Sequence, residues 1–398
     1  MKVLEVKDGK TEKDFLDVVD GIYAGDKEYV RPLDADIKGV FDPENNGFFK
    51  HGEASRFVLY DAKQRAIGRV AAFINTKKAF TFDQPTGGLG FFECINDKEA
   101  AYLLFDTGKK WLEERKMEAM DAPINFGEND RFWGLLIDGF SAPSYGMAYN
   151  PPYYQELFES YGFKLYYEMI SNHLSLQNPF PERFSKIANW VMRKEGYRFE
   201  HFKIKEADRF TRDLVKIYNE AWQFHENFTP LTIEDVNENF KKMKPIIQEQ
   251  LIWFAYVNDE PSGFMIMIPD VNQIIRHLHG KLNLVGKLKF AYHKWANTIN
   301  RARLVMMGVV PKHQKAGLES AMIISAKKAV ENLGTYDEVE LSWVGDFNPK
   351  MRALQESVGA SFGKKHYTYR MLFKSDVEVN RSSVIARDTK EQIATKKA

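Results

Sequence analysis

The chain has 398 residues, 44% of them hydrophobic and 14% aromatic, which is enough apolar material for two cores of ordinary size. Lys and Arg number 56 against 55 Asp and Glu, so overall charge selects neither nucleic acid nor a membrane as partner. A single cysteine, Cys94, excludes an internal disulfide and a cysteine metal cluster; the histidines lack HExxH spacing, and no apolar run approaches the ~18 residues of a membrane span. A metal-free protein of the reducing cytoplasm is expected.

In chain order, Val3–Lys7 alternates as a strand and has no signal-peptide apolar core. Glu12–Tyr23 is spaced as a helix. Arg56–Tyr60 and Ala66–Asn75 alternate as a hairpin, Gly90–Ile95 is a short apolar strand, and Lys98–Arg115 is a helix. Ala119–Ile124 is a buried strand. A long connection, Asn125–Tyr149, leads to an Asn-Pro helix start at Asn150-Pro151 and a last strand pair over Lys164–Leu176. Asn178–Glu195 carries Phe184, Ile187, Ala188, Val191 and Met192 at helical spacing and is expected to be a linker helix packed on a domain. The order then repeats: strand Arg198–Ile204, helix Phe210–Phe224, strands Leu251–Val257 and Gly263–Ile268, strand Arg303–Val310, helix Leu318–Leu333, strand Glu338–Val344, an Asn-Pro helix from Asn348, and strand Lys365–Phe373. From Ser375 the chain is polar and disorder is expected.

The repetition extends to single residues. Pro32-Leu33 answers to Pro230-Leu231, Gly68 to Gly263, Asn150 to Asn348 and Gly162 to Gly359, all at offsets of 195 to 198 residues. A period this long marks a duplicated domain, since solenoid repeats are far shorter. The fold class expected is mixed α/β: a first domain over 1–177, a linker helix over 178–195, a second domain over 196–374 and a tail over 375–398. Extra chain falls between Ile124 and Asn150 in the first half and between Ile268 and Arg303 in the second.

The second half carries the chemical motif. Val309-Val310 ends a strand, Pro311-Lys312-His313-Gln314-Lys315-Ala316-Gly317 turns, and Leu318 opens a helix. A helix N-terminus offers unpaired N–H groups and partial positive charge, which together suit a pyrophosphate. Gly317 permits a positive φ or close backbone approach, and Lys312, His313 and Lys315 add positive character. Strand, turn and helix resemble the acyl-CoA signature of the GNAT N-acetyltransferases, Arg/Gln-x-x-Gly-x-Gly/Ala, and the Asn348 helix and final strand follow in that family's order. The first half resembles the same fold without the signature. The whole chain therefore resembles a tandem GNAT protein, an arrangement shared with Fem-type aminoacyltransferases and N-myristoyltransferases.

The resemblance implies acetyl-CoA or another acyl-CoA as co-substrate, held by Lys312, His313, Gln314, Lys315, Ala316, Gly317, Leu318 and Asn348, and an amine of a small molecule or peptide as acceptor. It implies an oxyanion donor in the backbone N–H of Val309 or Val310. A base is also needed, for which Glu340 and Asp346 are the candidates. Two positions depart from the pattern. Glu319 stands where the signature ends in Gly or Ala. Gln355 stands where many members carry a tyrosine acid, leaving Tyr367, Tyr369 or water as proton source.

Between Val271 and Leu318 there is no Asp or Glu, while Lys, Arg and His recur among Leu, Phe, Tyr and Trp. Such a run is either an insertion with a solvated basic face or a surface for CoA, an acidic acceptor, RNA or a membrane. Two rival functions stay open at this level: aminoacyl transfer from tRNA, and a degenerate, non-catalytic binding or scaffold module.

Overall fold

The computed structural model describes residues 1–223, 228, 230–374 and 378–382. Most of the tail expected to be disordered lies outside the described residues. The first half runs β1 (Lys2–Glu5), α1 (Gly9–Ile22), α2 (Asp34–Val40), β2 (Gly52–Tyr60), β3 (Ala66–Asn75), α3 (Thr76–Ala79), β4 (Thr86–Cys94), α4 (Lys98–Glu113), β5 (Ala119–Ala122), β6 (Leu135–Asp138), α5 (Tyr154–Tyr161) and β7 (Lys164–Ser175). The second half runs α6 (Glu182–Met192), β8 (Tyr197–His201), α7 (Ala207–Trp222), α8 (Ile233–Met243), β9 (Ile252–Val257), β10 (Glu260–Pro269), α9 (Asn272–Ile275), α10 (Leu284–Trp295), β11 (Arg301–Val309), α11 (Leu318–Leu333), β12 (Glu338–Glu340), β13 (Val344–Gly345), α12 (Pro349–Ser357) and β14 (Ser361–Leu372).

Two compact units result, and neither is a contiguous half. One comprises Met1–Ile170, Asn272–His293 and Lys364–Ser383; the other comprises Ser171–Val271 and Lys294–Gly363 among the described residues. The boundaries at 177, 195 and 374 expected from sequence are thereby corrected. The last strand leaves the second half's own sheet: Tyr369 lies opposite Ala122 and Leu372 opposite Ala119 on β5. A two-pronged ion pair from Arg370 to Asp121, at 2.6 and 2.8 Å, fixes that register. The expected linker helix, α6, is part of the second unit's core, where Phe184, Ala188 and Val191 are buried with Leu318, Ala321 and Met322 of α11.

In the first unit the strands follow the order β1-β2-β3-β4-β5-β14-β7. Neighbours from β1 to β4 are antiparallel and β4–β5 is parallel. Helix α4 covers one face through Ala100, Ala101, Leu104, Phe105 and Leu112. The repeated glycines do the same work twice. Gly162 follows α5 at φ 115° and Gly359 follows α12 at φ 80°, left-handed positions that end a helix without strain on a side chain. The two Asn-Pro starts differ. Asn348 caps α12 by accepting from the Met351 N–H at 3.2 Å. Asn150 instead pairs with the backbone of Leu136, receiving its N–H at 2.7 Å, because the extra chain of the first half forms β6 beside it.

A buried polar cluster holds the first unit's core. Glu93 of β4 accepts from Tyr23 Oη at 2.8 Å and Tyr154 Oη at 2.9 Å, with Arg69 Nη2 at 3.5 Å. Burial pushes its carboxyl up, against the opposing pull of Arg69. Arg69 in turn donates to the Phe15 carbonyl at 2.7 Å, so one cluster ties α1, β3, β4 and α5 together. Removing one member of a buried pair strands the other charge. Glu93→Ala is expected to destabilise the first unit by about 3–5 kcal/mol, read as a lowered urea midpoint.

Candidate functional site

The second unit's sheet runs β7-β12-β11-β10-β9-β8, with β7 contributing its second half. Strand β11 is antiparallel to β10 along its whole length, from Pro269↔Ala302 to Gly263↔Val309, with a bulge at Val305. Its other neighbour, β12, is parallel and paired only from Arg301↔Glu338 to Arg303↔Glu340. Beyond Arg303 that edge of β11 is open.

Which N–H groups face the opening follows from strand alternation. The Val310 N–H donates to the Ser262 carbonyl at 2.9 Å, so it belongs to the β10 edge. Backbone donors alternate between edges. The N–H groups of Val309 and Met307 therefore point to the open edge. Of the sequence-derived pair only Val309 keeps its expected orientation, and Met307, nearer the parting of the strands, joins it. Met307 lies two residues before Val309 on the regular stretch beyond the bulge and was not among the sequence candidates.

After Val310 the chain makes one tight turn, with the His313 N–H on the Val310 carbonyl and the Ala316 N–H on the His313 carbonyl, each at 2.9 Å. Gly317, at φ 79°, then turns the chain into α11 and, lacking a side chain, itself caps none of the first-turn N–H groups. A Cβ at Gly317 would meet Val191 at 2.9 Å. Gln314 reaches back to the Val309 carbonyl at 3.4 Å and accepts from Lys350 at 2.7 Å. Lys312 is paired with Glu260, and Lys315 is exposed. Burial, then the Lys312 charge, lowers the His313 imidazole from its ordinary range. Leu318 is fully buried and anchors the helix start.

Glu319 is the feature against an anion. Its carboxyl is half-buried beside its own N–H, and burial pushes it up, with Lys350 pulling the other way. The equivalent start in the first unit is closed more completely. Asp97 caps α4 through the Ala100 N–H at 2.9 Å.

Glu340 is buried and lies level with Arg303, whereas Val309 and Val310 stand further along β11. Six residues at ~3.3 Å each separate those levels along β11. On its other side β12 pairs with β7, which sets His173 opposite Glu340. The His173 ring lies 3.8 Å from the Glu340 carboxylate and 3.6 Å from that of Glu338. His173, 3.6 Å away, holds Glu338 below the ordinary carboxylate range. Arg301 grips Asp270 at 2.6 and 2.8 Å. His173, Glu338, Glu340, Arg301 and Arg303 thus form a polar band on one sheet face. His173 was not a sequence candidate, because only strand register brings it there. Asp346 sits half-buried between β13 and α12. Gln355 is spoken for by Asn172 at 2.7 Å and the Ser342 carbonyl at 2.9 Å, and Tyr369 donates to Glu159 within the first unit at 2.9 Å.

The opposite sheet face, under α11 and α12, encloses a cavity of about 50 Å³. Its lining includes Met265, Met267, Leu304, Met307, Met351 and Leu354. It is almost wholly apolar, so it has little to hold water. Four of those six are methionines, whose unbranched side chains repack readily. Met307 belongs to both features: its side chain lines the cavity while its N–H faces the open edge.

No family model matches the chain. It is 27% identical over 388 residues to a bacterial ceramide synthase from Caulobacter vibrioides, covering 94% of this chain and 97% of that protein. Among solved structures, a tandem GNAT protein from the clavulanic acid biosynthesis pathway superposes with a TM-score of 0.55 at 11% identity, over 94% of this chain and 98% of that one. A GCN5-related glucosamine N-acetyltransferase region of a fungal multi-domain beta-N-acetylglucosaminidase superposes with a TM-score of 0.58 at 14% identity, covering 93% of this chain and 38% of the longer one. The chain has the tandem GNAT fold.

Proposed function

We propose that the protein is an acyl-CoA-dependent N-acyltransferase that delivers a long acyl chain to the amine of a long-chain amphiphile, a sphingoid-like base. The observation that carries this reading is the methionine-lined apolar cavity adjoining the open edge of β11. Likeness to a ceramide synthase over nearly the full length of both proteins supports it.

In this reading the first-turn N–H groups of α11 and Lys315 hold the CoA phosphates. The acyl chain enters the cavity by displacing methionine side chains. The amine nitrogen attacks the thioester carbon, the C–S bond breaks, and an amide and the CoA thiol result. The N–H of Met307 or Val309 donates to the oxyanion as it forms. Glu340 acts as base through a chain of waters reaching from the level of Arg303 toward Met307, and the proton taken from the amine is returned to the departing thiolate. Asp346 is the rival base. Glu319 supports a second, non-catalytic reading, in which the opposing carboxylate leaves CoA unbound.

Calorimetric titration of CoA separates these readings. Glu319→Gln is expected to tighten binding and Lys315→Glu to weaken it, each roughly two- to fivefold, the scale of one charge at a helix end. No heat of binding from any of the three proteins would establish the non-catalytic reading.

The base assignment is read from steady-state kinetics. Glu340→Gln is expected to lower kcat by about 10²- to 10⁴-fold with little change in the KM for acyl-CoA. The same loss in Asp346→Asn, with Glu340→Gln active, would move the role to Asp346.

Chain length tests the cavity. Met265→Trp fills it, and kcat/KM for palmitoyl-CoA is expected to fall about tenfold or more while that for acetyl-CoA is kept. A parallel fall for both would place the acyl chain elsewhere.

A further inference from the structure

Helix α10 lies in the acid-free run between Asp270 and Glu319 and buries only Gly286. At about 100° per residue its side chains sort into three bands. Gly286, Phe290 and His293 share the inward side, where His293 stacks on His277 at a centroid distance of 4.2 Å. Leu284, Leu288 and Trp295 project from the opposite side, with Val285 and Tyr292 beside them. These five are between 60% and 80% exposed. Lys287 and Lys294 flank that apolar band on one side and Lys289 on the other; Lys281 precedes the helix, and all four are exposed.

An amphipathic helix normally turns its apolar face to the core. Here the apolar face is turned out, which costs solvation unless something apolar covers it.

We propose that α10 is a membrane-surface anchor that lies flat on an anionic phospholipid bilayer, its leucines, valine and tryptophan among the acyl chains and its lysines at the phosphates. Charge complementarity selects this occupant. Lysines on both flanks of an apolar band can extend along it to reach head groups, and Trp and Tyr favour the interface between acyl chains and water. The absence of any carboxylate in the run removes repulsion from an anionic surface. The helix cannot span: 12 residues reach about 18 Å, against ~30 Å of hydrocarbon. Among the described residues no helix is long and apolar enough to cross. A second copy fits less well. One face of such a helix, about 18 Å by 10 Å, falls far short of the ~800 Å² per partner of a stable dimer. RNA fits less well again, since the centre of the band is aliphatic.

The test is co-sedimentation of the full-length protein with vesicles of phosphatidylcholine alone or mixed with phosphatidylglycerol, with no acyl-CoA or amine present, so that it succeeds or fails independently of the proposed chemistry. The wild type is expected to pellet with the phosphatidylglycerol vesicles and less so as salt is raised. Leu284→Glu/Leu288→Glu/Trp295→Ala, which changes only exposed positions, is expected to reduce partitioning tenfold or more with an unchanged circular dichroism melt. Lys287→Gln/Lys289→Gln/Lys294→Gln is expected to remove the preference for phosphatidylglycerol. A wild type that stays in the supernatant, or a triple apolar variant that pellets as well as the wild type, overturns the proposal. So does a wild-type dimer that this variant converts to monomer without any vesicle binding, which would assign the face to a second copy.

Discussion

Strand β11 has a partner along its whole length on one edge and along three residues on the other. That asymmetry organises the second unit. Where β12 leaves, backbone donors face an opening instead of a neighbouring carbonyl. A buried donor without a partner costs about 1–3 kcal/mol. A fold keeps such donors only where another acceptor can replace the missing strand. The bulge at Val305 sits just beyond the last pair, Arg303↔Glu340, and shifts the strand's alternation by one residue. It thereby presents Met307 with its N–H at the opening and its side chain in the cavity. The turn after Val310 is set by the same strand, because it begins where β11 is still bonded to Ser262.

The two faces of this sheet solve different problems. On one, five charged or titratable side chains are gathered at the level where the strands still pair. Burying Glu340 and Arg303 would be costly for either alone; strand register makes them neighbours, with His173 and Arg301 close by. On the other face nothing polar is needed, and methionines leave a space that water does not favour. Duplication sharpens the contrast. In the first unit the helix start is capped by Asp97, and the position next to the strand end carries Glu93, tied to two tyrosines and an arginine. One copy has spent its helix start and cleft on stability. The other places a glycine at its helix start, and Glu319, beside its own N–H, is the remaining opposition.

Local signals were legible in the sequence. The order of most elements, the helix stops at Gly162 and Gly359, the cap at Asn348 and the strand–turn–helix at Val309–Leu318 each depend on a few adjacent residues; the strand pair expected over Lys164–Leu176 is the single strand β7, and the strand expected over Glu338–Val344 is the two short strands β12 and β13. What depends on distant pairing was not. His173 and Glu340 are far apart in the chain and meet only through antiparallel register. The departure of β14 to lie beside β5 rests on Tyr369↔Ala122 and the Arg370–Asp121 pair, which no periodicity announces. Asn150 matched Asn348 in sequence, yet the inserted β6 claimed its amide. Val310 was one of the two expected donors, but pairing with Ser262 on β10 decided which edge its N–H faces. Helix α10 was visible as composition, a basic run with interleaved apolar residues, while the outward turn of its apolar side required coordinates.

That outward turn bears on how such a protein would meet a substrate with long chains. A molecule with sixteen or so buried methylenes gains ~0.8 kcal/mol from each on leaving water, so its free concentration in solution is vanishing and nearly all of it resides in membranes or micelles. An enzyme confined to bulk water would wait on desorption. One held at the surface by a single short helix and a few lysines samples the lipid-dissolved pool directly, and the modest strength of such an anchor leaves it reversible and sensitive to ionic strength. The acid-free run between Asp270 and Glu319 then has a physical reason that spans its length. Its first part carries the outward apolar helix, where a carboxylate would oppose an anionic bilayer. Its last part, from Lys312 to Leu318, opens α11, where a carboxylate would oppose a phosphate. The run ends at Glu319, the one place where that opposition is present.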